Sequence, residues 1–284
     1  MTDSTAKPAT HLPPELAAHD VPTVLGRLRV YSGGSGAPIL FWASALMSAE
    51  MWDAQARHFL PKHQVVLVDP PGHGDSEPLK RVFTFDECAQ CVVQILDALG
   101  IDRTYIVGSS WGGMIGGTFA ARYPQRVRGA VLMNCSASTV GILQKIEYAI
   151  MPLPLRFIRK LPRPMQVFAQ EAFVGPTTRT SRPQVVERIR EAVERADMRS
   201  VRWAITSVVA RRPDQHALFA TIRAPVLVIA GEEDQTFSVY ETGAMADAIP
   251  GAKLSVLKNT AHLAALENPV EVNKRIEEFI SRNA

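Results

Sequence analysis

The segment Gly108-Ser109-Ser110-Trp111-Gly112 constrains the fold of this chain more than any other five residues. It follows a short apolar run of β type at residues 104–107 and precedes a helical stretch at residues 114–123. A serine between a strand and a helix lies on a sharp, strained turn that exposes its hydroxyl. The two glycines are expected because backbones approach closely beside such a turn, where a side chain would not fit. The pattern therefore predicts that Ser110 is a nucleophile.

Predicted elements alternate along the chain in the way that a parallel sheet requires. Short apolar runs are separated by helical stretches up to residue 137 and again from residue 221. This order indicates βα units. Residues 138–220 contain only helical stretches separated by prolines. We therefore predict an α/β core at residues 21–137 and 221–284, interrupted by an all-helical cap at residues 138–220.

The amino-terminal residues differ from the core. Residues 1–20 are polar, contain three prolines and lack the apolar segment of a signal peptide. We therefore expect a mobile arm and a cytoplasmic protein. The first strand is predicted at residues 24–31, where apolar and polar residues alternate.

Composition argues against two kinds of partner. No apolar run reaches the roughly 18 residues that span a membrane. The net charge of +3 is too small to indicate a nucleic-acid binder. We therefore expect neither a membrane nor a nucleic acid as a partner.

His262 is the predicted base. A serine hydroxyl becomes an effective nucleophile when a base removes its proton, and histidine is suited to this near neutral pH. Among the seven histidines, His262 follows the last predicted strand, at residues 253–257. Parallel-sheet enzymes place their sites at this end of the strands.

The base needs a carboxylate that fixes its tautomer and stabilises the imidazolium. Glu232, Glu233 and Asp234 follow the next-to-last predicted strand. Asp234 is preferred, because the two residues nearest the strand are expected to shape the turn. The alternative position for an acid, after the strand at residues 129–133, holds Asn-Cys-Ser and no carboxylate.

The order Ser110, Asp234, His262, with a helical insertion before the acid, resembles the α/β-hydrolase family. Three more segments match this family: Asp69-x-x-Gly72-x-Gly74-x-Ser76, Gly231-x-x-Asp234 and Glu267-x-Pro269. The resemblance covers roughly residues 24–280. It implies an α/β fold with a mostly parallel, eight-stranded sheet, flanking helices and a helical cap, with no cofactor and with hydrolysis through an acyl-enzyme. Serine at position 110 argues against the family's dehalogenases and epoxide hydrolases, which carry aspartate there.

An oxyanion hole requires two N–H donors aimed at the developing charge. One predicted donor is the backbone amide of Trp111, which opens the helix after the turn. The other is expected in the loop after the strand at residues 39–42. Most members of the resembled family carry His-Gly in that loop, whereas this chain has Ala43-Ser44, so the predicted donor is the Ala45 amide. This loop and the segment at residues 261–267 resemble the 3-oxoadipate enol-lactonase branch of the family.

The three cysteines have a structural interpretation. An odd number argues against a disulfide framework. Cys88-Ala-Gln-Cys91 lies inside a predicted helix, with no second cysteine pair to complete a zinc site. We therefore predict no metal, and expect these two side chains to pack in the core.

The predicted cap is basic. Residues 156–212 contain 13 Lys/Arg and 5 Asp/Glu. One hypothesis is that this charge attracts an anionic substrate. The favoured interpretation is a solvated surface on which arginines pair with Glu187, Glu191 and Glu194 along one helix.

The residues together predict a serine hydrolase that cleaves carboxylic esters or lactones with a Ser-His-Asp triad. A small-molecule ester or lactone is the expected partner, and a homodimer is compatible with the sequence. The first alternative keeps the fold and the triad but changes the reaction to carbon–carbon bond hydrolysis, amide hydrolysis or cofactor-free perhydrolysis. The second alternative is a ligand-binding protein that keeps the fold without catalysis.

Overall fold

The computed structural model describes residues 11–141, 155 and 157–283. In this part of the chain, eight strands form one sheet. In chain order they are β1 (Ala17–Thr23), β2 (Gly26–Gly33), β3 (Ile39–Trp42), β4 (Val65–Val68), β5 (Thr104–Ser109), β6 (Val127–Met133), β7 (Val226–Gly231) and β8 (Lys253–Leu257). Their order across the sheet is β1-β2-β4-β3-β5-β6-β7-β8. Strands β3 to β8 pair in parallel, and only the β1–β2 and β2–β4 pairs are antiparallel, so the predicted mostly parallel sheet is confirmed.

The amino-terminal hairpin corrects two predictions. Residues 17–20 belong to β1, so the segment predicted as a mobile arm, residues 1–20, extends too far; residues 1–10 lie outside the described residues. The strand predicted at residues 24–31 begins at Gly26, after a turn. Strand β1 lacks an apolar pattern because it lies at the sheet edge, where only Val21 is buried and Pro22 is tolerated. Backbone pairing with β2 holds it in place.

Helices flank the sheet on both faces. In chain order, the helices of the described residues are α1 (Asp53–Phe59), α2 (Phe85–Ala98), α3 (Trp111–Arg122), α4 (Arg163–Glu171), α5 (Pro176–Ser181), α6 (Pro183–Arg195), α7 (Met198–Ile205), α8 (His216–Phe219), α9 (Val239–Ala248), α10 (Ala264–Glu267) and α11 (Pro269–Arg282). None of them is both long and apolar enough to cross a membrane.

The sheet separates two apolar cores. Alternate residues of the central strands point to opposite faces, so Leu40 and Val66 enter one core while Phe41 and Leu67 enter the other. Helices α2 and α3 cover the first face, and α1 and α11 cover the second. Strand β4 is therefore buried along its whole length, as expected of a parallel strand packed on both sides.

Strands β5, β6, β7 and β8 are consecutive neighbours in the sheet. Because they run parallel, their carboxyl ends meet at one edge. The loops after these strands carry Ser110, Asn134, Asp234 and His262. The fold thus gathers all three predicted triad residues at the same edge.

The described residues of the predicted cap, 138–220, contain helices and no strand. Helix α6 ends at Arg195. The chain is extended at Ala196, with φ −60° and ψ 130°. Asp197 then caps α7 by accepting the Arg199 N–H.

Arginines on the cap surface are engaged by carboxylates. Arg190 pairs with Glu187 and Glu194 on α6, and Arg195 pairs with Glu50 at 3.2 Å. These contacts support the interpretation of the basic cap as a solvated surface.

The cysteines are free and buried. Cys88 and Cys91 face the core from α2, as predicted. Burial raises the pKa of the Cys91 thiol to about 11. The thiolate that redox or metal chemistry requires is therefore disfavoured.

The packing of α2 against the sheet is testable at Ile95, which is fully buried. Replacing Ile95 by Ala leaves a cavity and is expected to lower the free energy of unfolding by about 2–5 kcal/mol. Ile95→Val removes one methyl group and should lower it by about 0.5–1.5 kcal/mol. Urea denaturation measures both values, and equal losses for the two variants would contradict the packing.

Candidate active site

The turn at Ser110 joins β5 to α3 and strains the serine backbone. Its φ is +54° and its ψ is −116°, a region that residues with side chains rarely adopt. A Cβ on Gly108 would lie 2.0 Å from the carbonyl oxygen of Gly112, and one on Gly112 would lie 2.1 Å from that of Trp42. The close approach of three backbone segments therefore gives both predicted glycines a steric reason.

Asp234 and His262 form a buried hydrogen-bonded pair. The Nδ1 atom of His262 lies 2.9 Å from Oδ2 and 3.1 Å from Oδ1 of Asp234. His262 is 1% exposed and Asp234 is 5% exposed. Because Asp234 engages Nδ1, the Nε2 atom is the ring nitrogen left to exchange protons.

The surroundings of Asp234 favour its charged form. Burial alone would raise the pKa of this carboxyl, but the neighbouring His262, the N–H of Phe237 and the amide of Asn134 outweigh it. The pKa of Asp234 therefore lies below its ordinary value. Asp234 also accepts the Thr236 N–H at 2.8 Å, so it is fixed in place as well as charged.

Asn134 connects the acid to the loop of the base. It follows β6 with a φ of +49° and is fully buried. Its Nδ2 group donates to Asp234 Oδ2 at 3.1 Å and to the Ala261 carbonyl oxygen at 3.0 Å. The sequence shows only a polar residue directly after a strand, which does not predict this role. Asn134 therefore positions Asp234 and His262 without titrating itself.

Glu232 and Glu233 do not contact His262 by hydrogen bonds in the described residues. Glu233 accepts the N–H and hydroxyl of Thr177 in the cap. Glu232 accepts the Asn259 N–H at 3.4 Å. Both glutamates therefore hold loops, and Asp234 is the carboxylate that accepts the hydrogen bond from the imidazole.

The predicted oxyanion donors lie at the ends of two neighbouring strands. Trp111 is the first residue of α3, where N–H groups have no acceptor within the helix. In the loop after β3, the N–H groups of Ser44, Leu46 and Met47 are engaged, whereas that of Ala45 has no acceptor among the described residues. Both predicted N–H groups are thus unoccupied by protein acceptors in this part of the chain.

His73 holds the loop that carries Ala45. Its Nδ1 atom donates to the Pro71 carbonyl oxygen at 3.0 Å, so its Nε2 atom accepts the Leu46 N–H at 3.1 Å. Leu46 has a φ of +65°, and this hydrogen bond stabilises the strained residue. Burial lowers the pKa of His73 to about 4, which keeps the ring neutral and able to accept.

Asp69 fixes the other end of this loop. It is almost fully buried and accepts the Ala49 N–H at 2.7 Å and the Asp75 N–H at 2.8 Å. Burial, opposed by these two donors, raises the pKa of Asp69 to about 6. The segment at residues 69–76 therefore acts as a scaffold for the predicted oxyanion loop.

Aromatic rings shield the site from water. The ring of Trp111 is fully buried between Phe83 and His73, with centroid distances of 5.4 and 5.5 Å. The His262 ring lies 5.5 Å from Phe173 of the cap and 5.7 Å from Phe237. The Trp111 side chain is thus a packing element, and electrostatic interactions around His262 act in a medium of low polarity.

The described residues contain no group of three or more His, Cys, Asp or Glu side chains arranged to bind a metal.

The neutral state of His73 makes a prediction about stability and pH. An unfolded histidine titrates near 6.5 and folded His73 near 4, so the unfolded state binds more protons between these values. The neutral His73 ring therefore makes its full contribution to stability above pH 6.5, and this contribution is lost as the pH falls towards 4. Between pH 7 and pH 5, the unfolding free energy of the parent should fall by about 2 kcal/mol more than that of His73→Gln. Parallel pH profiles in urea denaturation would contradict this assignment.

Comparison with known proteins agrees with the architecture. The family model described as alpha/beta hydrolase fold matches residues 37–269. A solved thermophilic esterase from Thermogutta terrifontis superposes with a TM-score of 0.86 at 25% identity, covering 94% of this chain and 98% of the esterase.

Curated relatives cover most of the chain at low identity. The 3-oxoadipate enol-lactonase 2 of Acinetobacter baylyi is 24% identical over 97% of this chain and 99% of its own length. The 2-hydroxy-6-oxononadienedioate/2-hydroxy-6-oxononatrienedioate hydrolase of Burkholderia vietnamiensis is 28% identical over 78% of this chain and 77% of its own length. Since the family model spans most of the sequence and the sheet has the matching topology, the chain belongs to the α/β hydrolase fold family.

Proposed function

We propose that this protein is a serine hydrolase of carboxylic esters or lactones, with Ser110, His262 and Asp234 as its catalytic triad. The observation that carries the proposal is the buried hydrogen bond between His262 Nδ1 and Asp234, at the sheet edge where a serine occupies a strained turn. A buried histidine with a fixed tautomer, at the same end of the sheet as such a serine, supports nucleophilic acyl transfer as the chemistry of this site.

The reaction follows from the roles of these atoms. The Ser110 hydroxyl oxygen attacks the substrate carbonyl carbon while His262 Nε2 takes the hydroxyl proton. The tetrahedral intermediate collapses, the alcohol leaves with that proton, and the acyl group stays on Ser110. Water then gives a proton to His262 and attacks the acyl-enzyme, and His262 returns that proton to the Ser110 oxygen as the acid is released. In a lactone, the acyl and alcohol groups belong to one molecule.

The oxyanion is held by the backbone N–H groups of Ala45 and Trp111. Both N–H groups are available, and the dipole of α3 adds to the attraction at Trp111. His73 and Asp69 keep the Ala45 loop rigid through bonds to Leu46 and Ala49. Donors that are already oriented stabilise the intermediate without reorganising during the reaction.

The comparisons support esters and lactones as the first substrates to test. One relative is named for an enol-lactone, and one similar structure is that of an esterase. A second candidate is hydrolysis of a carbon–carbon bond, because another relative is named for a 6-oxo dienedioate. Activity on a β-diketone, with none on p-nitrophenyl esters or lactones, would favour the second candidate.

The first prediction for this mechanism concerns Ser110. With p-nitrophenyl butyrate as substrate, Ser110→Ala should lower kcat/KM by at least about 10³-fold, since the nucleophile is lost. An organophosphate should label Ser110 in the parent, as mass spectrometry of the digested protein would report. Ser109→Ala is the matched control, because the neighbouring hydroxyl is buried and makes no hydrogen bond in the described residues. Full activity of Ser110→Ala, or a label on another residue, would refute the proposal.

The second prediction concerns the Ala45 donor. Ala45→Pro removes the N–H and should lower kcat by about 10²–10³-fold with little change in KM, because the lost bond forms mainly with the oxyanion. Ala45→Gly keeps the N–H and serves as the control. Thermal unfolding of both variants distinguishes a lost donor from a lost fold. If Ala45→Pro is folded and as active as Ala45→Gly, the second donor lies elsewhere.

A further inference from the structure

Glu267 holds the loop that carries His262 through hydrogen bonds to its backbone. Its carboxylate is 3% exposed. One oxygen accepts the Ala261 N–H at 3.0 Å, and the other accepts the Leu263 N–H at 2.9 Å. The N–H groups of the two residues that flank His262 are therefore fixed by a single side chain.

The same carboxylate is bound by the cap. Thr178 lies on α5, is fully buried, and donates its hydroxyl to Glu267 Oε2. The Thr178 oxygen accepts from Arg182, which also donates to the Asn259 carbonyl oxygen at 2.6 Å. Glu267 thus joins the loop of the base to a helix that belongs to the cap.

Further contacts seat this part of the cap on the catalytic loops. Thr177 binds Glu233, the residue next to Asp234. Thr236 donates its hydroxyl to the Ala172 carbonyl oxygen at 2.7 Å. The Phe173 ring stacks on His262. Displacement of the cap segment at residues 172–182 would therefore break contacts to both loops together.

The contacts between the cap and the catalytic loops bear on how a substrate reaches Ser110 and His262. Ser110 is only 7% exposed and His262 only 1%, so a substrate has to pass elements that cover the site, and Phe173 is one of them. Burial raises the pKa of Glu267, while Thr178 and the two amides oppose that rise. Loss of the Thr178 donor would leave the buried carboxylate with two donors and less constraint on its position.

We propose that Glu267 is a positioning residue for His262 and that its bond to Thr178 makes the orientation of the base depend on the seating of the cap. The base is correctly oriented when α5 lies on the core, and it loses one anchor when α5 lifts. This inference rests on the proposed function, because it assigns a role to His262 as the base.

The experiment compares Thr178→Val, which keeps the shape and removes the hydroxyl, with Thr178→Ser, which keeps the hydroxyl. With p-nitrophenyl butyrate, Thr178→Val should lower kcat by about 10-fold or more while KM changes less than about threefold, because misorientation affects the chemical step. Thr178→Ser should retain the parent kcat within about twofold. Glu267→Gln should lose more than Thr178→Val, because its carbonyl oxygen can accept only one of the two backbone N–H groups and its NH2 group cannot accept the other.

Thr180→Val on the same helix is the matched control, since the Thr180 side chain is exposed and bonds only within the cap in the described residues. If Thr178→Val does not fold, Thr178→Ala provides the same comparison. The inference is wrong if the folded variant without the hydroxyl keeps the parent kcat, or if Thr178→Ser is equally impaired.

The rate of organophosphate labelling separates this inference from the proposed function. A parent protein that is not labelled at Ser110 would contradict the proposed function itself. A parent that is labelled at Ser110 at the same rate as Thr178→Val would contradict only the coupling between the cap and the base.

Discussion

Buried carboxylates that accept backbone N–H groups fix the loops at the carboxyl end of the sheet. Asp69, Asp234 and Glu267 each lie in the interior, and each takes two such groups. The donors are Ala49 and Asp75 for Asp69, Thr236 and Phe237 for Asp234, and Ala261 and Leu263 for Glu267. A buried carboxylate without donors would be strongly destabilising, so each loop is held in the one conformation that supplies them. The predicted oxyanion loop, acid loop and base loop are all organised in this way.

The neighbours of these carboxylates set how strongly each of them favours its charged form. Burial raises the pKa of Asp69 to about 6 and also raises that of Glu267. Asp234 is buried as well, but the His262 imidazole bonded to it lowers its pKa. In the proposed mechanism Asp234 stabilises an imidazolium, and it is the carboxylate of the three whose surroundings most favour ionisation. The other two have structural roles in which a change of protonation would loosen a loop.

The sequence predicts the structure best where local geometry limits the residue type. The turn at Ser110 demands glycines at two positions, and parallel strands buried on both faces require apolar runs such as residues 65–68. Both features are visible in the sequence, and the alternation of apolar runs with helical stretches predicts the parallel pairing. The pairing of Asp234 with His262 could be anticipated because both follow neighbouring strands at the same edge.

Contacts between distant segments could not be anticipated. Asn134 bonds to Asp234 and Ala261 across 100 and 127 residues of sequence, and an asparagine after a strand has no pattern that marks it as a bridge. The sequence does not mark His73 as a support of the predicted oxyanion loop, because its partner Leu46 belongs to another loop. Strand β1 was missed for a related reason: an edge strand is stabilised by backbone pairing, which the side chains do not encode.

The chemistry of the cap contacts bears on how the enclosed site can turn over substrate. Near His262, α5 is held largely by hydrogen bonds from Thr177 and Thr178 to Glu233 and Glu267. When such bonds break, water takes the place of the lost partner, so the net free energy of each is only about 1.5–3 kcal/mol for a charged acceptor. An apolar contact of similar extent would offer no such replacement. A cap held by polar contacts can therefore seal the site during the chemical step and still open within the time of a typical turnover. The Phe173 ring excludes water from one face of the imidazole. The hydrogen bonds of Thr177 and Thr178 hold the cap segment that carries this ring.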